Sequence, residues 1–245
     1  MMRLVDFGGK GRHRFSPYAW RTKLALAHLG LDYETSEITF LDKSALAGVT
    51  EYAQAPVLVA GGDVVTDSWE IALYMHATFP AQVPLFADDG QMAFAAYLNA
   101  WVPRILYPII LPMIAVDVVT KVLPQEQAHY RKTREALLGC SLEEAALNRA
   151  DLSQDLSAHL EPMRAVLARS PFLNGDVPGY SDYILGALFL WIRGTSPFQP
   201  LCADDPVTDW RVRLFDRYSD LIMATDGYEW RPILSPRLAK KIIND

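Results

Sequence analysis

The stretch FSPYAWRTKLALAHLGLDYE, residues 15–34, decides the fold of the first third of the chain. Ser16 is a residue type favoured at a helix N-cap, and Pro17 is tolerated at the first helical position, where its missing N–H is not needed. Trp20, Leu24 and Ala27 follow at helical spacing, and Gly30 supplies the kind of residue on which helices stop. Extended runs flank this helix, Arg3 to Phe7 before it and Tyr33 to Thr39 after it.

The alternation continues downstream. Leu41 to Ala47 reads as a short helix. After Pro56, the runs Val57 to Ala60 and Val64 to Thr66 flank Gly61-Gly62-Asp63, which predicts an antiparallel hairpin. Asp67 or Ser68 then caps a helix whose buried stripe is Ile71, Ala72, Met75 and Phe79. The order strand, helix, strand, short helix, hairpin, helix is a layered α/β unit over residues 1–80. Pro80, Pro84 and Gly90 mark residues 81–90 as a linker. Residues 91–245 read as helix and loop, an all-α domain. Its pieces are an apolar helix from Gln91 that Pro103 and Pro108 would bend or end, then Pro124 to Leu138, Leu142 to Ala168, Asp182 to Arg193 and Pro206 to Ala224.

Composition limits the function. A net charge of −6 argues against a nucleic-acid binder, because phosphate recognition depends on clustered Lys and Arg. One basic cluster, Lys10, Arg12, His13 and Arg14, stands just before Ser16; it is either a solvated loop or an attractor of anionic ligands. Two cysteines, Cys140 and Cys202, are too few for a disulfide framework, and a reducing cytoplasm is the simplest compartment. The N-terminus has no apolar signal segment, and the longest apolar stretch, Ile105 to Val116, is too short to span a bilayer and holds Pro108 and Pro112. The reading is therefore no membrane segment. His28, His76, His129 and His159 lack matching partners at metal-ligand spacing, so no metal is expected.

Three segments of the α/β unit carry chemistry. A helix N-terminus presents unpaired N–H groups and partial positive charge, so Ser16 can donate a hydrogen bond to a thiolate while the helix end lowers the thiol pKa. In Gln54-Ala55-Pro56-Val57 a proline precedes an apolar strand. In Thr66-Asp67-Ser68-Trp69-Glu70 a carboxylate and a hydroxyl open a helix, a place suited to an amino-acid head group. Taken alone, the first and third are ordinary caps and the second an ordinary trans proline.

Their order and spacing resemble the glutathione transferases. That family's thioredoxin-like βαβαββα domain carries Ser, Tyr or Cys before its first helix, a cis-proline before its third strand, and an acidic residue with Ser at its third helix. Ser16, Pro56, Asp67 and Ser68 fill those places. Phe172-Leu173-Asn174-Gly175 and Tyr180-Ser181-Asp182-Tyr183 resemble the family's folding motif in the helical domain, with Gly179 where Ser or Thr is usual. Within the family, Ser-Pro-Tyr-Ala-Trp-Arg-Thr-Lys and Asp-Ser-Trp look most like the bacterial β-etherases that cleave lignin-derived aryl ethers.

The resemblance implies glutathione as co-substrate, a homodimer, and a hydrophobic aromatic acceptor bound between the domains. Asp67 and Ser68 would hold the γ-glutamyl end, the backbone of Ala55 beside Pro56 the cysteinyl residue, and Lys43 or the Arg12–Arg14 cluster the glycine carboxylate. Tyr18, Trp101, Tyr107, Ile110 and Met113 are candidates for the acceptor site, or else ordinary helical core or a dimer contact. With Ser16 in place of Cys, and Ala19 beyond it, mixed-disulfide chemistry is not expected. The alternative is a transferase-like protein that binds hydrophobic ligands and catalyses nothing.

Overall fold

The computed structural model describes residues 1–231. The part of the all-α reading that falls on 232–245 lies outside the described residues.

Four strands form one mixed sheet in the order β2-β1-β3-β4, with β1 Arg3–Phe7, β2 Glu34–Ile38, β3 Val57–Ala60 and β4 Asp63–Thr66. β1 runs parallel to β2, Arg3 opposite Glu34 and Phe7 opposite Ile38, and antiparallel to β3. The hairpin pairs Val57 with Thr66 and Ala60 with Asp63. Alternation divides the side chains between two faces. Leu4 and Leu58 join the main core beneath α1 (Pro17–His28) and α2 (Ser68–Thr78), while Val5 and Val57 pack with Ile38, Leu46 and Ala55 on the other face. Asp6, buried on β1, is paired by Lys23 of α1 and by Arg14.

The helical domain is built around α3, Asp89–Val118, 30 residues long. Of the two alternatives for Pro103 and Pro108, ending the helix is excluded: the helix runs on through both, and through Pro112. Each proline removes one backbone rung. Burial of Val102, Leu106, Ile109, Ile110, Met113, Ile114 and Ala115 against α5 (Leu142–Leu147), α6 (Arg149–His159) and α8 (Tyr180–Thr195) outweighs that loss. The uninterrupted helix is long and apolar enough to cross a bilayer by length and composition, but here it is the packed centre of the domain. α4 spans Gln127–Leu138. The long helix expected over Leu142 to Ala168 is three, because the chain turns at Asn148 and Leu160, and α7 (Glu161–Leu167) starts afresh with Pro162 in its first turn. α9 (Pro206–Arg217) and α10 (Ser219–Met223) follow.

α8 is the buried hub, packing on α3 and on α1 of the first domain. Its Asp182 accepts hydrogen bonds from the amides of Leu173, Asn174 and Gly179 at 2.9, 3.3 and 3.1 Å and from Trp210 Nε1 at 2.7 Å. A Cβ at Gly179 would lie 2.6 Å from the Asn174 side chain, so a Ser or Thr at this cap would need that side chain to move.

A second clamp joins the domains. His28 Nε2 lies 2.8 Å from the Val83 carbonyl, and its Nδ1 lies 2.6 Å from the Tyr183 hydroxyl, which in turn meets Tyr218. A neutral ring satisfies this chain by donating to Val83 and accepting from Tyr183. Burial, the largest cause, lowers the His28 pKa below its ordinary value, and burial does the same at His13. A folded pKa below the unfolded one means that the unfolded chain binds more protons, so stability falls as pH drops through and below the ordinary histidine range. Acidification from about pH 7 to pH 5 is therefore expected to lower Tm, and His28→Gln to flatten that slope, as read by thermal melts across the range.

Candidate functional site

A cleft of about 490 Å³ opens between the domains where the N-terminus of α1 meets α3, α4 and α8. The sequence places Ser16 there through its cap. Ser16 is extended (φ −82°, ψ 112°), and its Oγ accepts from the Ala19 amide at 3.2 Å, leaving the hydroxyl proton free to donate outward. Pro17 has no N–H, and the Trp20 amide returns to the Ser16 carbonyl, so the amide of Tyr18 is the one left over in the first turn. The approach is fixed by Trp20 Nε1, which donates to the Arg14 carbonyl at 2.9 Å, and by Phe15, which is buried.

The opposite lip is the loop before β3. Ala55–Pro56 is a cis peptide bond, and Ala53, Gln54 and Ala55 line the cleft. Lys43 lies over the Phe7 ring at 5.0 Å and donates to the Thr39 carbonyl at 2.6 Å, with its pKa lowered chiefly by burial. Asp67 and Ser68 stand at the head of α2 and not on the cleft wall. Asp67 holds the left-handed φ of 70° and accepts from the amides of Trp69 and Glu70 at 2.7 and 3.4 Å. A positive φ with an extended ψ of 138° costs a non-glycine residue of order 1–3 kcal/mol. Ser68 is buried, its carbonyl taken by the Tyr180 hydroxyl at 2.6 Å and its own Oγ without a partner among the described residues. Burial first, then the charges of Asp67 and Tyr18, raise the pKa of Tyr52.

Of the residues expected on the acceptor side, Tyr18 and Tyr107 meet across the cleft with ring centroids 5.5 Å apart. Ile110 and Met113 do not reach it. They are fully buried on the far side of α3, because the wall repeats at helical spacing through Tyr107, Leu111 and Val118. Trp101 lines a separate apolar cavity against α6, α7 and the start of α8's lead-in, with Phe94, Tyr97 and Leu160. The side chains that sequence reasoning missed are Phe40 from the first domain, Tyr130, Arg134 and Leu137 from α4, and Trp191 from α8. Arg134 lies over the rings of Phe40 and Tyr130 at 5.5 and 5.3 Å.

Arg21, one turn into α1, was also missed. It is fully buried, donates to Asn99 Oδ1 at 2.7 Å, approaches the Tyr107 hydroxyl at 3.4 Å and lies 4.9 Å from the centre of the Tyr18 ring. Burial raises the Tyr107 pKa well above its ordinary value, with Arg21 opposing, so its hydroxyl is a proton-bearing donor at neutral pH. The arrangement offers a hydrogen-bond donor and a helix end to a soft anion, cations on one flank and an aromatic wall on the other. Among the described residues no three His, Cys, Asp or Glu side chains converge as a metal site would need.

Comparisons with known proteins agree with this layout. The model of the glutathione S-transferase N-terminal domain matches residues 15–78, and that of the glutathione S-transferase C-terminal domain matches 93–199. A probable maleylacetoacetate isomerase of Caenorhabditis elegans is 36% identical over 77 residues, which is 30% of this chain. The match spans only 36% of that relative's length. Among solved structures, a glutathione S-transferase of Ceriporiopsis subvermispora in complex with glutathione superposes with a TM-score of 0.75 at 19% identity, covering 89% of this chain and 96% of that one. A glutathione transferase of Phanerochaete chrysosporium gives 0.70 at 24% identity, over 93% and 98%. One from Rhodospirillum rubrum gives 0.65 at 23%, over 97% of each chain.

Proposed function

Since the chain belongs to the glutathione S-transferase family, whose two domain models between them match well over half of it, we propose that it is a glutathione-dependent transferase in which the thiolate of bound glutathione attacks an electrophilic aromatic small molecule. The observation that carries this reading is the Ser16 hydroxyl, capped onto α1 and facing an aromatic cleft between the domains. The tripeptide brings the nucleophile; the protein brings orientation and charge stabilisation.

In this reading Ser16 donates to the sulfur and the Tyr18 amide adds partial positive charge. Asp67 and Ser68 face the γ-glutamyl head group from α2, and Ala55 the cysteinyl backbone. Lys43 and Arg134, neither of them ion-paired to a carboxylate among the described residues, supply the cationic flank for the glycine carboxylate. Tyr18, Tyr107, Leu111 and Trp191 form the acceptor wall. Arg134→Gln is expected to raise KM for glutathione by about tenfold and leave kcat nearly unchanged, the signature of lost uniform binding; initial rates against glutathione concentration check it.

The finer assignment, cleavage of a β-aryl ether, is supported by the likeness of residues 16–23 and 67–69 to the β-etherases. There the sulfur forms a C–S bond at the ether-bearing carbon, the C–O bond breaks, and the departing aryloxide takes up a proton. Thiol consumption with glutathione against aryl ethers, halides and epoxides tests both levels. Turnover of halides or epoxides alone removes the ether reading, and turnover of no class removes the enzyme reading in favour of a ligand-binding protein.

A further inference from the structure

The basic loop before Ser16 does not line the cleft except through Phe15; it builds a different concavity. Arg12 and His13 from this loop, Lys121 from the turn after α3, Arg193 near the end of α8, and the segment Met223 to Tyr228 enclose about 400 Å³. The segment is laid against the loop by paired backbone, with the Asp226 amide donating to the Arg12 carbonyl at 3.2 Å and the Arg12 amide to Asp226 Oδ2 at 2.8 Å.

The charges there do not cancel. Asp226 is occupied by Arg12, at 3.0 Å. Glu229, beside Arg193 but off the cavity wall, accepts from the Trp230 and Arg231 amides at 2.9 and 3.0 Å. Lys121 has only the face of Tyr228, at 5.1 Å, and no carboxylate within ion-pairing distance among the described residues. Arg193 is 6% exposed, makes one long bond to the Thr225 hydroxyl at 3.4 Å, and its Nε has no partner among the described residues. The absence of a side chain at Gly227 leaves room for the guanidinium, since a Cβ there would fall 2.5 Å from an Arg193 nitrogen. Glu229 and Asp226 act on the guanidinium only through space and the Trp230 ring lies 5.2 Å from its centre, so its unpaired N–H is costly unless something completes it. His13 is taken up by the Gly194 carbonyl, to which its Nδ1–H donates at 2.9 Å, so the neutral ring offers the cavity no second donor.

We propose that this concavity is a second ligand site, separate from the cleft, for a phosphate oxyanion, either free or as the head of a small phosphate monoester. Lys121 and Arg193 neutralise it from two sides, while Arg12 stays on Asp226. Two cations, neither ion-paired to a carboxylate among the described residues, suit a multiply charged oxyanion better than a single carboxylate. The site needs nothing from the transferase reading, since none of its residues lines the cleft.

The test is titration of the full chain with inorganic phosphate, followed by calorimetry and by thermal melts, with chloride at matched ionic strength as the reference. Saturable binding with a rise in Tm is expected. Lys121→Gln should weaken binding by about tenfold or more, whereas Lys10→Gln, a charge of the Arg12 loop that lies outside the concavity, should leave it unchanged. No saturable binding up to tens of millimolar overturns the proposal. So does an equal loss in both variants, which would mean diffuse attraction. Loss of binding in the presence of saturating glutathione or in Arg134→Gln would place the phosphate in the cleft and overturn it as well.

Discussion

Ser16→Ala is expected to lower kcat/KM for glutathione conjugation by about 10²–10³-fold, the range seen when one donor to a developing or resident anion is removed. The hydroxyl has two functions. Its lone pair caps the Ala19 amide, and its proton faces the cleft. The first loss is structural, about 1 kcal/mol of helix-cap stability. The second is electrostatic: without the donor, the helix end and the Tyr18 amide alone hold the thiolate, so the pKa of the bound thiol rises. Ultraviolet absorbance of the bound thiolate against pH reads that shift directly. Rates should recover partly at high pH in the variant. Unchanged thiol titration and unchanged rates, with glutathione still bound, would show that the hydroxyl does no more than cap α1.

The largest stability effect should come from Asp182→Ala, a loss of about 3–5 kcal/mol. The carboxylate is fully buried and its pKa is raised by that burial, against which its hydrogen bonds act. Those bonds come from three amides before α8 and from Trp210 of α9, so truncation leaves all four donors unpaired in the core. Because α8 packs on α3 and on α1, both domains should melt together at a lower urea midpoint. Asp182→Asn should lose less, since one oxygen still accepts. A variant that melts at the parental midpoint would show that the loop 172–179 holds itself.

The α/β unit was readable because its signals are local. A cap at Ser16, a proline at 56, two glycines at 61 and 62, and period-two apolar residues each act within a few positions. Ser16, Tyr18, Lys43, Ala55 and Tyr107 do share one cleft. What could not be read depends on packing between distant segments. Three prolines in α3 signal a break, yet the surrounding helices bury its flanks and keep it whole. The same packing decides which stripe of α3 faces the cleft, sending Ile110 and Met113 into the core. Arg134 and Trp191 have no local mark, since their place depends on how α4 and α8 lie against the first domain. Arg21 carried a faint one, as an arginine on the otherwise buried face that Trp20 and Leu24 define.

The strap that crosses the Arg12 loop also sets an order of events. Residues 12 and 226 are 214 positions apart, and their paired backbone closes the loop that delivers Ser16. On the ribosome the first eighty residues emerge early and can pair their strands, but this loop waits until nearly the whole chain is out. The nascent protein can therefore acquire its sheet before the Ser16 end of the cleft is set, so that the cleft is completed only once the helical domain exists to cover it.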